Sequence, residues 1–218
     1  LRHGDRGLTG ADGFESQADV LVRTRMAADA LGATKMDRPE WVAVHPRTQE
    51  VYCALTNNAL RGGEGQAPAD AANPRANNIF GHIVRWREAG NDPAATRFAW
   101  DIFVLAGDPA SPDPAKRGTV KGDGFGSPDG LRFDERGVLW IQTDVSASVL
   151  NKGDYAGLGN NQLLAADVTT GEVRRFLAGP VNCEVTGMVF APDGRTLFLN
   201  IQHPGETPSE RSYPANPR

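Results

Sequence analysis

The strongest constraint on the fold of this chain is one pattern that occurs three times. A short apolar strand, a turn rich in Pro, Asp or Gly, and a second apolar strand ending in a polar residue run over 41–56, 130–143 and 187–201. The turns are His45-Pro46-Arg47-Thr48-Gln49-Glu50, Asp134-Glu135-Arg136-Gly137 and Ala191-Pro192-Asp193-Gly194-Arg195. Strand-like runs bounded by such turns predict β-hairpins. Between the copies lie hairpins of a second kind. One pairs 83–86 with 98–105; the other pairs 162–167 with 172–177 through Thr169-Thr170-Gly171.

The order is therefore inner hairpin, outer hairpin, inner, outer, inner. That is the four-stranded unit of a β-propeller, repeated about two and a half times. The expected fold class is all-β: a partial propeller, one domain over residues 1–218, with blades from about residue 38 onward. The 25 glycines and 15 prolines suit turns and short strands. A single helix is expected near 13–31. Asp12-Gly13-Phe14-Glu15 reads as its N-cap box, Phe14, Ala18, Leu21 and Val22 as its apolar stripe, and Gly32 as its stop. A propeller of fewer than four blades cannot close, so the chain reads as a fragment of a longer one. Two Gly/Pro/Asn/Ala-rich stretches, 58–79 and 106–127, separate the repeats. Loops that long are usually functional or disordered.

Net charge is −4, which sets general nucleic-acid binding aside as a partner class. No apolar run is long enough for a membrane-spanning helix. The two cysteines, Cys53 and Cys183, have no zinc-site spacing, and Cys53 sits inside a strand-like run as a packed side chain.

In a propeller, the segment leading into each innermost strand lines one mouth of the central channel. Here those segments are Asp37-Arg38-Pro39-Glu40, Gly126-Ser127-Pro128-Asp129 and Cys183-Glu184-Val185-Thr186. Each brings a carboxylate toward one axis. Converging carboxylates repel unless a cation neutralises them or one holds a proton. Hard oxygen ligands suit Ca²⁺ or Mg²⁺, and carboxylates with a few nitrogens suit iron or manganese. Arg38, two residues from Glu40, is suited to gripping an oxyanion such as phosphate at two points. His82 and His203 adjoin strand ends and are weaker candidate ligands. His45 reads as a surface residue of a far turn.

The segments 32–41, Asp70-Ala71-Ala72-Asn73-Pro74-Arg75, 100–107, 125–131 and Asn200-Ile201-Gln202-His203-Pro204-Gly205-Glu206 resemble the bacterial PhoX-type alkaline phosphatases. The likeness runs from about residue 8 to residue 207 and corresponds to the C-terminal half of that family. It implies a six-bladed propeller with iron and calcium at its axis, exported by the twin-arginine route to the periplasm or beyond, and hydrolysing phosphomonoesters. Arg38-Pro39-Glu40 matches the family's Arg-Pro-Glu motif, with the arginine as catalytic residue on phosphate and the glutamate on metal. Ser127-Pro128-Asp129-Gly130 matches its Ser-Pro-Asp-Gly motif, with Asp129 as metal ligand, and Glu184 is a third implied ligand. The family's cysteine ligand to iron lies outside this chain, so the fragment alone is expected to be inactive. The full-length protein is expected to be a monomer. A Ca²⁺-dependent propeller lactonase and a non-enzymatic binding propeller are the competing readings.

Overall fold

The structure, a computed structural model, describes residues 1–4 and 7–204. Gly205 and Glu206 of the last matching segment lie outside the described residues. The chain divides into two compact units, residues 1–35 and the remainder from Met36.

The first unit is helical, but not as one helix. Thr9 and Asp12 cap each other around a 3-10 turn, Gly10–Asp12, which ends at Gly13 in the left-handed region (φ +86°). Gly13 therefore cannot open an α-helix. Ser16 does so instead, its Oγ accepting the Asp19 N–H at 3.2 Å, and α1 spans Gln17–Val22. The backbone breaks at Arg23 (φ −104°, ψ 35°), and α2 spans Thr24–Ala30. The later start shifts the phase of the buried stripe. Leu8, Phe14, Val20 and Ala27 form the small core, while Ala18, Leu21 and Val22 are exposed.

Among the described residues, the regular structure of the second unit is β-strand apart from two short 3-10 turns. Strands β1 (Pro39–Val44), β2 (Val51–Leu55), β3 (His82–Glu88) and β4 (Phe98–Leu105) form an antiparallel meander in chain order. Strand β5 (Lys121–Gly122) comes from the long 106–127 segment. Strands β6 (Pro128–Phe133), β7 (Val138–Thr143), β8 (Gln162–Asp167) and β9 (Glu172–Ala178) form a second meander, which β5 extends by pairing parallel with β9. Strands β10 (Glu184–Phe190) and β11 (Leu197–Gln202) form a third hairpin. The inner strands β1, β6 and β10 are neighbours in that order.

The three hairpins share one register. Val44 faces Val51, Phe133 faces Leu139, and Phe190 faces Leu197 across each turn. Each inner strand then carries an irregularity of register, between Pro39 and Val42, Pro128 and Leu131, and Thr186 and Met188. Counting back from the turns makes Glu40, Asp129 and Thr186 equivalent, and likewise Arg38, Ser127 and Glu184.

Alternation along β7 sends side chains to both neighbours. Leu139 and Ile141 pack with Tyr52, Ala54, Ile83 and Val104 of the first sheet. Trp140 packs the other way, with Val185 and Met188 of the third. Fully burying one such side chain contributes about 1.5–3 kcal/mol. An aromatic contact repeats at each junction. Tyr52 meets Phe133 edge-on at 5.2 Å, and Trp140 meets Phe190 at 5.6 Å. Phe198 holds the equivalent place in the third hairpin and is 60% exposed.

Candidate active site

The lead-ins to β1 and β6 are built alike. Arg38 and Ser127 both have left-handed backbones, φ +52° and +51°, and both precede proline. That position normally favours extended backbone, so these are strained turns held by their surroundings. The Arg38 carbonyl accepts the Thr56 N–H at 3.1 Å, and the Ser127 carbonyl accepts the Asp144 N–H at 3.0 Å. The second bond fastens the end of β7 to the start of β6, with Asp129 and Asp144 on either side.

From the third hairpin comes Glu184. Asn161, buried just before β8, holds this hairpin against the second sheet. Its amide donates to the carbonyls of Val145 and Cys183 at 2.9 and 2.8 Å, and its oxygen accepts from Thr143 Oγ1 and the Val145 N–H. Asp129, Asp144 and Glu184 each offer an oxygen within 4.8 Å of the other two. Gly130 makes room for this packing. A Cβ there would lie 1.9 Å from Oε1 of the fully buried Gln142.

The electrostatics of the cluster follow from burial and crowding. The Asp129 carboxyl is pushed up to about 6, first by burial and then by the charges of Glu40, Asp144 and Glu184, with Arg38 opposing. Burial also raises Asp144, against Arg38 and His203. Glu184 is raised by burial and by Asp144, while His203, Thr186 and Gln202 act the other way. Three half-buried carboxyls held close, each resisting ionisation, are a donor set that a divalent cation would satisfy. The oxygens fit a hard cation such as Ca²⁺.

At the rim, Arg38 lies 3.6 Å from Glu40 and donates through Nη1 to Asn57 Oδ1 at 3.0 Å. The site thus pairs a cluster of carboxylates with an exposed guanidinium, the two kinds of group that metal-assisted phosphoryl chemistry uses.

The family model of alkaline phosphatase PhoX matches residues 2–205. The chain belongs to the PhoX family. Its fold is also similar to a solved structure described as Pseudomonas fluorescens PhoX in complex with vanadate, a transition state analogue, at 51% identity and a TM-score of 0.87. That likeness covers 94% of this chain and 36% of the other, so the chain spans about a third of the length of that PhoX. None of the curated proteins compared with the chain matches it.

Within this PhoX segment, the structure brings Asp129 and Glu184 together and sets Glu40 within electrostatic reach of Asp129, with Arg38 beside it. Asp144 completes the cluster and was not among the sequence candidates. The register could have revealed it, because the residue after the second strand of a hairpin returns to the end where the first begins.

Other candidates turn out to be structural. Asp37 does not face the mouth cluster. Its buried carboxylate accepts from Arg61 Nε at 2.7 Å and from the amides of Asn58 and Asn78, both at 2.9 Å, organising the 58–79 loop. His82 is fully buried, with one ring nitrogen against the Ala72 carbonyl and the other against the Asn78 amide. His45 is buried rather than superficial, its ring packed edge-on against Phe133. Both thiols are buried within apolar clusters, where burial raises Cys183 and pushes Cys53 up to about 11.

Proposed function

We propose that this chain is the part of a metal-dependent phosphomonoesterase that carries Arg38 and three acidic ligands, within a six-bladed propeller completed by further chain. The observation that carries the reading is the placement of Arg38 beside the cluster of Asp129, Asp144 and Glu184. A PhoX 51% identical to this chain is described in complex with vanadate, a transition state analogue, which supports phosphoryl-transfer chemistry for this chain's parent. The three sheets, with β1, β6 and β10 side by side, support the propeller reading.

In this reading Asp129, Asp144 and Glu184 would hold calcium, with Glu40 at the edge of the cluster. Iron, implied by the family, would draw further ligands from outside this chain. A bound cation would supply Lewis-acid stabilisation of charge on the phosphoryl oxygens. Arg38 binds one or two of those oxygens through its planar guanidinium and orients the ester. Its charge also favours the ionised forms of Asp129 and Asp144. The site is shared with chain beyond these residues, so the 218-residue chain alone is inactive; the proposal further takes the full-length protein to be a monomer, in the periplasm or secreted.

The test is hydrolysis of p-nitrophenyl phosphate by the full-length protein before and after chelation, with a sugar lactone as counter-substrate. Loss of phosphatase activity on chelation and its return with Ca²⁺ and iron support the reading. Lactone hydrolysis without phosphatase activity would overturn it.

A further inference from the structure

Arg38 is not held by its ion pair alone. A chain of hydrogen bonds leads from it into the core, and every donor in that chain is fixed. The guanidinium can only donate, so Asn57 accepts through Oδ1 at 3.0 Å. The Asn57 amide then turns its Nδ2 to Ser127 Oγ at 3.2 Å. Ser127 Oγ lies 3.0 Å from the Tyr155 hydroxyl, whose own proton goes to the Ile79 carbonyl. Tyr155 must therefore accept from Ser127. The inner links are buried: Ser127 is 1% exposed and Tyr155 6%. The Tyr155 ring is itself packed on Phe80 at 5.0 Å.

We infer that Asn57 is a positioning residue, which fixes the Arg38 guanidinium at the mouth by tying it through Ser127 and Tyr155 to the core. The inference rests on the reading that Arg38 binds the phosphate. Three features carry it. Asn57 is the residue that directly follows the Thr56 bonded to the Arg38 carbonyl, so the backbone and side chain of Arg38 are held by consecutive residues. Asn57 also bridges two equivalent positions of neighbouring sheets, Arg38 and Ser127, so it sets the guanidinium of one sheet against the carboxylates of the next. Finally, the direction of donation leaves one amide orientation. The flipped amide would press an NH₂ group against the guanidinium. A long arginine side chain that is fixed before substrate arrives loses less rotamer freedom on binding than a free one.

The test is a double-mutant cycle in the full-length protein. Variants Arg38→Ala, Asn57→Ala and the double variant are compared for inhibition by inorganic phosphate, for KM and kcat on p-nitrophenyl phosphate, and for metal content. Asn57→Ala is expected to weaken phosphate binding and raise KM about tenfold, the size of one lost hydrogen bond to a charged group, at unchanged metal content. In the Arg38→Ala background the same change is expected to do nothing further. Tyr155→Phe, which keeps the ring and cuts the chain at its buried end, should shift KM in the same direction by less. A purely structural Asn57 would lower thermal stability and leave KM alone, and that result overturns the inference. So does full additivity of Asn57→Ala with Arg38→Ala. If Arg38→Ala itself leaves phosphate inhibition unchanged, the reading of Arg38 fails first and takes the role of Asn57 with it.

Discussion

Arg38 and Ser127 occupy the same place in neighbouring sheets, each in a left-handed turn before proline, each with its carbonyl bonded to the strand that returns beside it. Left-handed backbone at a non-glycine residue costs on the order of 1–3 kcal/mol and persists where the surroundings impose it. Here the repeated turn does one thing twice. It leads the chain into β1 or β6 so that the residue two positions on, Glu40 or Asp129, stands beside or within the carboxylate cluster. The first sheet uses the turn residue itself, Arg38, as an exposed cation. The second buries it as Ser127, a hydrogen-bond junction beneath that cation. One backbone device thus serves two chemistries.

Gly130 is the tightest point beneath the cluster. Gly130→Ala would drive a methyl group into the amide of Gln142, which is fully buried and has little room to retreat. Overpacking of this kind costs about 1–3 kcal/mol. The expected outcome, read by denaturant unfolding of the full-length protein, is a loss of that size. Weaker Ca²⁺ binding should accompany it, because Asp129 is the adjacent residue.

His45 makes stability depend on pH. Its Nδ1 accepts the N–H groups of Arg47 and Thr48 at 3.2 and 3.1 Å, so a proton on that nitrogen would break both bonds. Burial, and then the charge of Arg47, hold its pKa below the usual histidine value, with Glu50 opposing. The unfolded chain therefore takes up this proton more readily than the folded one. The contribution is fully present above about pH 6.5 and is lost as the pH falls below it. His45→Asn keeps an acceptor near Nδ1 but cannot be protonated. Between pH 7.5 and 5, the melting temperature of the variant should fall less than that of the parent. Equal slopes would show that His45 plays no such part.

The aromatic contact repeated between sheets leaves one member uncovered. Tyr52 and Trp140 each meet a phenylalanine of the next sheet, whereas Phe198 is exposed, as is Val189 beside it. At the other end, Trp41, Val42 and Val44 of β1 are exposed as well. Apolar sheet faces left open in this way associate. The 218-residue chain expressed alone is expected to aggregate or to bind a hydrophobic dye without a sharp melt. A soluble monomer with a cooperative transition would contradict this.

What the sequence made legible was local. The hairpins of the second unit show in the chain because strand alternation and Asp-Gly or Pro turns are short-range signals, and Arg38, Glu40, Asp129 and Glu184 stood out by adjoining them. Less legible was whatever depends on contacts between distant segments. Asp144 becomes a member of the site only through pairing of β6 with β7. Asp37 and His82 looked free until the 58–79 loop folded over them with Arg61, Asn58 and Asn78. His45 is buried because the β6–β7 turn lies against it, Gly137 leaving no room for a side chain next to the imidazole. In the first unit the sequence points to Asp12 as the cap, but the left-handed Gly13 moves the helix start to Ser16.

The most direct test of the account separates the two halves of the mouth. In the full-length protein, Arg38→Ala and Asp144→Asn are compared for metal content by elemental analysis and for inhibition by inorganic phosphate. The account predicts that Asp144→Asn loses calcium and activity together, because it removes a charged ligand from the cluster. Arg38→Ala should keep its metal and bind phosphate at least tenfold more weakly, the loss of a charge-assisted contact. Lys in place of Arg38 should restore little, since it cannot make the planar two-point contact. Retention of calcium with full activity in Asp144→Asn, or loss of metal in Arg38→Ala, would contradict the account.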